Sequence, residues 1–274
     1  MINTIDSRHS GALIANSVNA ERIMVMNSER VIYAGLLGVT STRKFGSLTV
    51  YASLGHPFQI CVAGGDWRIA ALAVVSPHMP HRIVSDHRVI GVLMIEPESI
   101  DTGRLPRFLQ SALAEEDRTD VLERVRASFI RLMRGDIYAS RVTADLDRLF
   151  FGQALERRNL DRRIASIVDR VSKAPSDQYP AEACSQLAGL SFSRFLHLFK
   201  SEVGITFRCF RAWKRARSFL AFVKVPNLTD VALKIGYADS THFSHSIRSV
   251  YGLKPKDICA GSRRLTITLH AGGY

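Results

Sequence analysis

SFSRFLHLFKSEVG, Ser191 to Gly204, and STHFSHSIRSVYG, Ser240 to Gly252, are two copies of one pattern. Laid on each other, Phe195 falls on Phe243, His197 on His245, Phe199 on Ile247, Lys200 on Arg248 and Gly204 on Gly252, each pair 48 positions apart. Upstream, Ser185 falls on Ala232, Ala188 on Ile235 and Gly189 on Gly236, 47 apart, so the second copy has one extra residue in its turn. Each copy reads as a short helix, a glycine turn and a second helix closed by glycine, which is a helix-turn-helix. Ser185 and Ala232 are small where the two helices must cross, and the glycines supply a left-handed backbone that side chains oppose. Ser191 and Asp239 or Ser240 are the natural N-caps of the second helices. Phe195 with Phe199 and Phe243 with Ile247 form an i, i+4 core face, which leaves the residues between them pointing outward.

Between the copies, Thr206–Val223 has neither Gly nor Pro and reads as one connecting helix rich in apolar (Phe210, Trp213, Leu220) and basic (Arg208, Arg211, Lys214, Arg215, Arg217) side chains. Its Lys and Arg are expected to contact phosphates, which positions a protein on DNA without reading sequence. Before the first copy, Asp161–Val171 reads as an amphipathic helix with Ile164, Ile167, Val168 and Val171 on one face.

Charge divides the chain the same way. Of 274 residues, 1–156 hold 17 Lys+Arg and 17 Asp+Glu, whereas 157–274 hold 20 and 8, so the second part carries the whole net charge of +12. A basic part fused to a neutral one points to a polyanion partner for the former, since each phosphate neutralised releases counterions. No apolar run approaches the ~20 residues of a membrane span, and the amino terminus lacks the basic start and apolar stretch of a signal peptide, so a cytoplasmic location with no membrane partner is expected. Cys61, Cys184, Cys209 and Cys259 form no C-x-x-C pair, so reduced, mostly buried thiols are expected rather than a zinc ribbon or a disulfide framework.

From Val31 to Ile95 short apolar or alternating runs are broken by turn residues, the texture of a β-sandwich or small barrel, with a hairpin turn at Ala63-Gly64-Gly65-Asp66. Pro106 fits the first position of a helix to about Glu116, and a second helix covers about Asp120 to Met133 with Val121, Leu122, Val125, Phe129 and Leu132 on one face. That stripe must be covered, by its own domain or by a second subunit. His56, His78, His81 and His87 invite a metal, with Glu96 nearby, but no H-x-H pair marks one strand, and no metal or cofactor is expected. Asp145-x-Asp147 reads as a solvated helix face. No G-x-S-x-G, H-E-x-x-H or phosphate-cradling loop is present, so no catalytic residue is assigned.

Two helix-turn-helix units joined by a helix between Asp161 and about Gly261 resemble the AraC/XylS family of bacterial transcription regulators. The resemblance rests on LAGLSFSRFLHLFKSEVGITF, on the Arg215 position, and above all on the second unit, where Ala232, Gly236, Tyr237, Ala238, Asp239, Ser240, His242, Phe243, Gly252 and Pro255 fit A-x-x-x-G-Y-A-D-S-x-H-F…G-x-x-P. His197 and His245 stand where family members commonly carry Arg, and Phe219 where they carry Ala. The resemblance implies an α+β chain: an N-terminal cupin-like β-barrel or sandwich over 1–103, a helical connector and possible dimerisation helix over 104–158, an all-α double helix-turn-helix domain over 159–262 with units about 181–204 and 228–252, and a tail over 263–274, either a loose basic end or an added strand. It implies a homodimeric regulator of double-stranded DNA, in contact with RNA polymerase if an activator, modulated by a small-molecule effector. The DNA-facing residues are then Phe192, Ser193, Arg194, His197 and Lys200 in the first unit, Arg215 in the linker, and Ser240, Thr241, His242, Ser244, His245 and Arg248 in the second. Tyr51, His56, Trp67 and His81 are the candidate effector contacts. The rivals are a cupin-type metal-dependent enzyme fused to a DNA-binding domain, and a ligand-independent regulator controlled by a protein partner.

Overall fold

A computed structural model describes residues 22–86, 89–110 and 119–270. Nine strands, β1 (Arg22–Met26), β2 (Arg30–Leu36), β3 (Leu48–Ser53), β4 (Phe58–Val62), β5 (Arg68–Ala70), β6 (Leu72–Val75), β7 (His81–Val84), β8 (Val89–Ile95) and β9 (Leu265–Leu269), form two sheets. The larger has the order β6-β3-β8-β2-β1-β9 and the smaller β5-β4-β7. All described pairings are antiparallel except β1 with β9. The sheets are sandwich-like and open. Of the two expected forms, barrel or sandwich, the sandwich is the one formed, since β6 and β9 end the large sheet at opposite edges. The hairpin at Ala63–Asp66 is present, with Ala63 and Gly64 at φ +54° and +76°.

The large sheet is covered on both faces, so β3 is buried throughout and β8 at all but its first residue. One face (Ile23, Val25, Ile32, Val50, Leu93) packs under α1 (Thr119–Arg134) and α2 (Thr143–Phe151). Phe129 of α1 lies so close to Gly91 that any Cβ there would sit 2.5 Å from its ring. The apolar stripe of α1 packs on its own sheet, with Val125, Phe129 and Leu132 buried there and Val121 and Leu122 partly so. Pro106 does not start a long helix. It caps a single 3-10 turn, Arg107–Leu109, after which Gln110 is extended, and the rest of the expected helix, 111 to about 116, lies outside the described residues. Asp147 is not solvated either. It is buried and holds the buried Arg30 through paired hydrogen bonds of 2.8 and 2.9 Å.

The C-terminal part is helical: α3 (Arg162–Lys173), α4 (Ala181–Leu187), α5 (Phe192–Val203), α6 (Phe207–Ser218), α7 (Leu228–Lys234), α8 (Ser240–Tyr251) and α9 (Pro255–Gly261). The connecting helix is shorter than the sequence suggested. After Ser218 it tightens into a 3-10 turn, Phe219–Phe222, which drives Phe219 edge-on against Phe243, ring centres 5.2 Å apart. The tail takes the ordered alternative: β9 returns to the N-terminal sheet. All four cysteines are free; Cys61 and Cys184 are buried, Cys259 partly so, and Cys209 is exposed. No helix among the described residues is long and apolar enough to cross a membrane.

Candidate nucleic-acid interface and the cavity behind it

Each helix-turn-helix unit is fixed by local chemistry. Ser191 Oγ accepts the Arg194 N–H, Asp239 accepts the His242 N–H at 2.7 Å, and Asn227 accepts the Thr229 and Asp230 N–H groups, satisfying donors that a helix start leaves open. Gly236 takes φ +82°, and a Cβ there would lie 2.2 Å from the Ser176 carbonyl oxygen, so the second turn accepts only glycine. Phe195, Phe199, Phe243 and Ile247 are buried as their spacing required.

The predicted reading residues divide cleanly from that core. Phe192, Ser193, Arg194, His197 and Lys200 are exposed along α5, and Ser240, Thr241, His242, Ser244, His245 and Arg248 along α8. Grooves run beside both helices. One is bordered by Ser193, Arg194 and His197 with Arg163 of α3, the other by Ser244, His245 and Arg248 with Lys254 and Lys256. His242 is not wholly free, since its ring stands edge-on to Tyr237. Arg215 stands on the linker helix α6 between the two units. Half-buried, it lies over the Tyr237 ring and reaches the Pro175 and Asp177 carbonyls at 3.5 Å, bracing the segment before α4 against the second unit.

Lys214 and Arg217, expected at phosphates, are buried instead. Both reach into the N-terminal half. Glu96, fully buried at the end of β8, pairs with Lys214 Nζ and with Arg217 Nε at 2.9 Å, and accepts the Trp213 indole N–H at 3.0 Å. Lys214 also pairs with buried Glu98, and Arg217 donates to the carbonyls of Asn27 and Arg30. Burial pushes the Glu96 carboxyl upward, but Lys214 and Arg217 outweigh it and hold its pKa below the ordinary value. Glu98 is raised, by burial first and by the neighbouring Glu96 charge. The signal for this network was in the sequence: Phe210, Trp213, Lys214 and Arg217 fall at i, i+3, i+4 and i+7, one face of one helix.

Behind the second unit lies a mostly apolar cavity of about 510 Å³ between sheet and helices. Met24, Tyr51, Val92 and Met94 line it from the sheet, and Leu220, Tyr251, Leu253 and Ile258 from the C-terminal part; among the described residues Arg43, which donates to the Leu37 carbonyl, is the one basic side chain in its wall and Asp257 the one acidic. Of the four candidate effector contacts only Tyr51 lines it. His81 supports Tyr51 from outside. Its Nδ1 donates to the Met79 carbonyl at 2.9 Å, which leaves Nε2 to accept the Tyr51 hydroxyl at 2.7 Å. Burial, reinforced by Arg43 and opposed by the Met79 hydrogen bond, pushes His81 down to about 4, and burial pushes Tyr51 up to about 12. His56 and Trp67 are exposed elsewhere, Trp67 beneath the guanidinium of Arg82. His87 lies outside the described residues. Among the described residues no three His, Cys, Asp or Glu side chains converge as metal ligands.

Comparison with known proteins falls on the same elements. A family model described as a helix-turn-helix domain matches residues 184–260. The transcriptional regulator MtrA of Neisseria gonorrhoeae is 27% identical over 97 residues, which span 35% of this chain and 32% of MtrA, so the likeness covers about a third of that relative's length. Crystal structures of ToxT from Vibrio cholerae O395 and of unsaturated-fatty-acid-bound ToxT from Vibrio cholerae strain SCE256 superpose with TM-scores of 0.52 and 0.50 at 12% and 11% identity, covering 88% and 86% of this chain and 96% of each ToxT chain. They share the fold of both halves. The C-terminal part of this chain thus carries a helix-turn-helix domain over residues 184–260, similar to that of the transcriptional regulator MtrA.

Proposed function

We propose that this protein is a sequence-specific transcriptional regulator that lays α5 and α8 into successive major grooves of double-stranded DNA, about 34 Å apart on one face. The observation that carries this reading is that each unit bares the outer side of its second helix, with Arg194, His197 and Lys200 exposed on one and Ser244, His245 and Arg248 on the other. Arg and His there reach base edges, while Lys200, Arg163, Lys254 and Lys256 neutralise phosphates. Phe192 and His242 flank the two reading faces, and Arg215 acts by bracing. A homodimer gains affinity by effective concentration at paired sites, and RNA polymerase is the partner at activated promoters.

Selecting binding sites from random DNA with the full chain tests this. Enriched sites should hold two boxes one helical turn apart, and failure to enrich any sequence would overturn the reading. The effector occupies the cavity, whose volume lies in the range of small-molecule sites, ~300–1,000 Å³. Apolar walls, with Arg43 on the sheet side and Asp257 at the C-terminal side, suit an apolar monocarboxylate whose head group lies toward Arg43, and ToxT, which shares the fold, has been crystallised with an unsaturated fatty acid bound. Oleate is the probe: it should raise the melting temperature and change DNA affinity, and oleyl alcohol should do less.

A further inference from the structure

The two reading units are fastened to the rest of the chain in different ways. The core of the first unit is its own: Phe195, Phe199, Phe207 and Phe210 close on Ile164 and Ile167 of α3, and no sheet residue belongs to that cluster. The second unit has no separate core. Ala232, Phe243, Ile247 and Tyr251 share one continuous cluster with Met24, Val92 and Met94 of the large sheet.

Polar contacts repeat the asymmetry. The Lys44 N–H donates to the Val250 carbonyl at 2.8 Å, so a loop of the N-terminal half caps the end of α8. Gly252 closes that helix at φ +71°, and a Cβ there would lie 2.4 Å from Ser41 Oγ. The first unit is tied through the connector, where the Arg158 guanidinium donates to the carbonyls of Ile100 and Glu202. None of these three residues lines the cavity, whereas Tyr251 and Leu253, at the end of the second reading helix, do.

We infer that the occupant of the cavity governs the second reading helix alone, and that the first unit is a constant anchor on DNA. This rests on the proposed reading of the cavity as the effector site. A ligand there presses on Tyr251 and Leu253. Because α8 is a single 12-residue helix, displacement at its end re-aims Ser244, His245 and Arg248 together. The first box of an operator should then be bound alike with and without ligand, and the second box should carry the whole response.

Hydrogen exchange on the full chain tests this with neighbouring substitutions. Met24 and Ile23 are adjacent in β1 and point to opposite faces, Met24 into the shared cluster and Ile23 toward α1 and α2. Met24→Ala should raise amide exchange in 228–251 at least about tenfold and leave 192–203 unchanged, while Ile23→Ala should spare both. Val92→Ala against Leu93→Ala repeats the test on β8 should Met24→Ala fail to fold. Equal response of both units, response of the first alone, or response of neither would overturn the inference. Oleate should protect 228–262 and not 181–203. If oleate fails to bind, the effector class is wrong, while the substitution pairs still decide the coupling.

Discussion

The buried carboxylate of Glu96 accepts the indole N–H of Trp213 at 3.0 Å, across 117 positions of sequence. That bond, with Lys214 and Arg217 beside it, seats the helix between the two reading units on the end of β8. Breaking a buried pair by removing one partner costs about 3–5 kcal/mol, because the other charge is left uncompensated. Lys214→Ala should therefore lower the unfolding free energy by about that amount in chemical denaturation. Lys200→Ala, at an exposed position, should change it by less than about 0.5 kcal/mol. On DNA the order reverses: loss of Lys200 should reduce the salt slope of binding by about one, as expected of a phosphate contact.

Stability should fall in acid through His81. Its pKa is about 4 in the fold and about 6.5 as the ordinary value, so between those limits the unfolded chain binds the proton and the fold does not. The contribution is complete above pH ~6.5 and is lost as pH falls toward ~4, on the order of 3 kcal/mol in all. His81→Gln should flatten that limb of the curve in urea titrations between pH 4 and 6.5. An unchanged limb would assign the acid loss to other groups.

The two glycine turns should tolerate alanine unequally. Gly189 has φ +63° with open space around it, so Gly189→Ala bears only the left-handed strain, about 1–2 kcal/mol. Gly236→Ala adds a collision with the Ser176 carbonyl and should cost more than its counterpart. Thermal melts of the two variants at equal concentration make the comparison.

Arg194→Ala and Arg248→Ala should each weaken operator binding by about 1–3 kcal/mol and relax preference at one position of one box only. Footprints on operators with either box scrambled assign each arginine to its box. Loss spread evenly over all sequences would make them phosphate contacts.

Much of this was legible in the sequence, for a physical reason. Phe195, Phe199, Phe243 and Ile247 obey helical spacing and sit beside obligatory glycines, so pattern and turn chemistry agree. Local rules failed where a distant partner decided the outcome. Asp147 looks solvated until Arg30 is placed against it, and Lys214 looks like a phosphate contact until Glu96 and Glu98 surround it. Trp67 and His56 are pocket residue types, but both stand in exposed loops between strands, and nothing local says which loop borders a cavity. Tyr51, an equally generic aromatic, lines the cavity because its strand is buried between the two layers.

The parallel pairing of β1 with β9 also sets an order of events during synthesis. β1 leaves the ribosome early, but its partner strand emerges only after both reading units have been made. Pairing so remote in sequence is slow, because loop closure must precede the contacts that reward it. Leu265, at the start of β9, and Ile258 and Gly261 just before it are part of the cavity wall. Residues from Met24 to Leu265 share that wall, so the compartment is complete only when the two ends of the described chain have met.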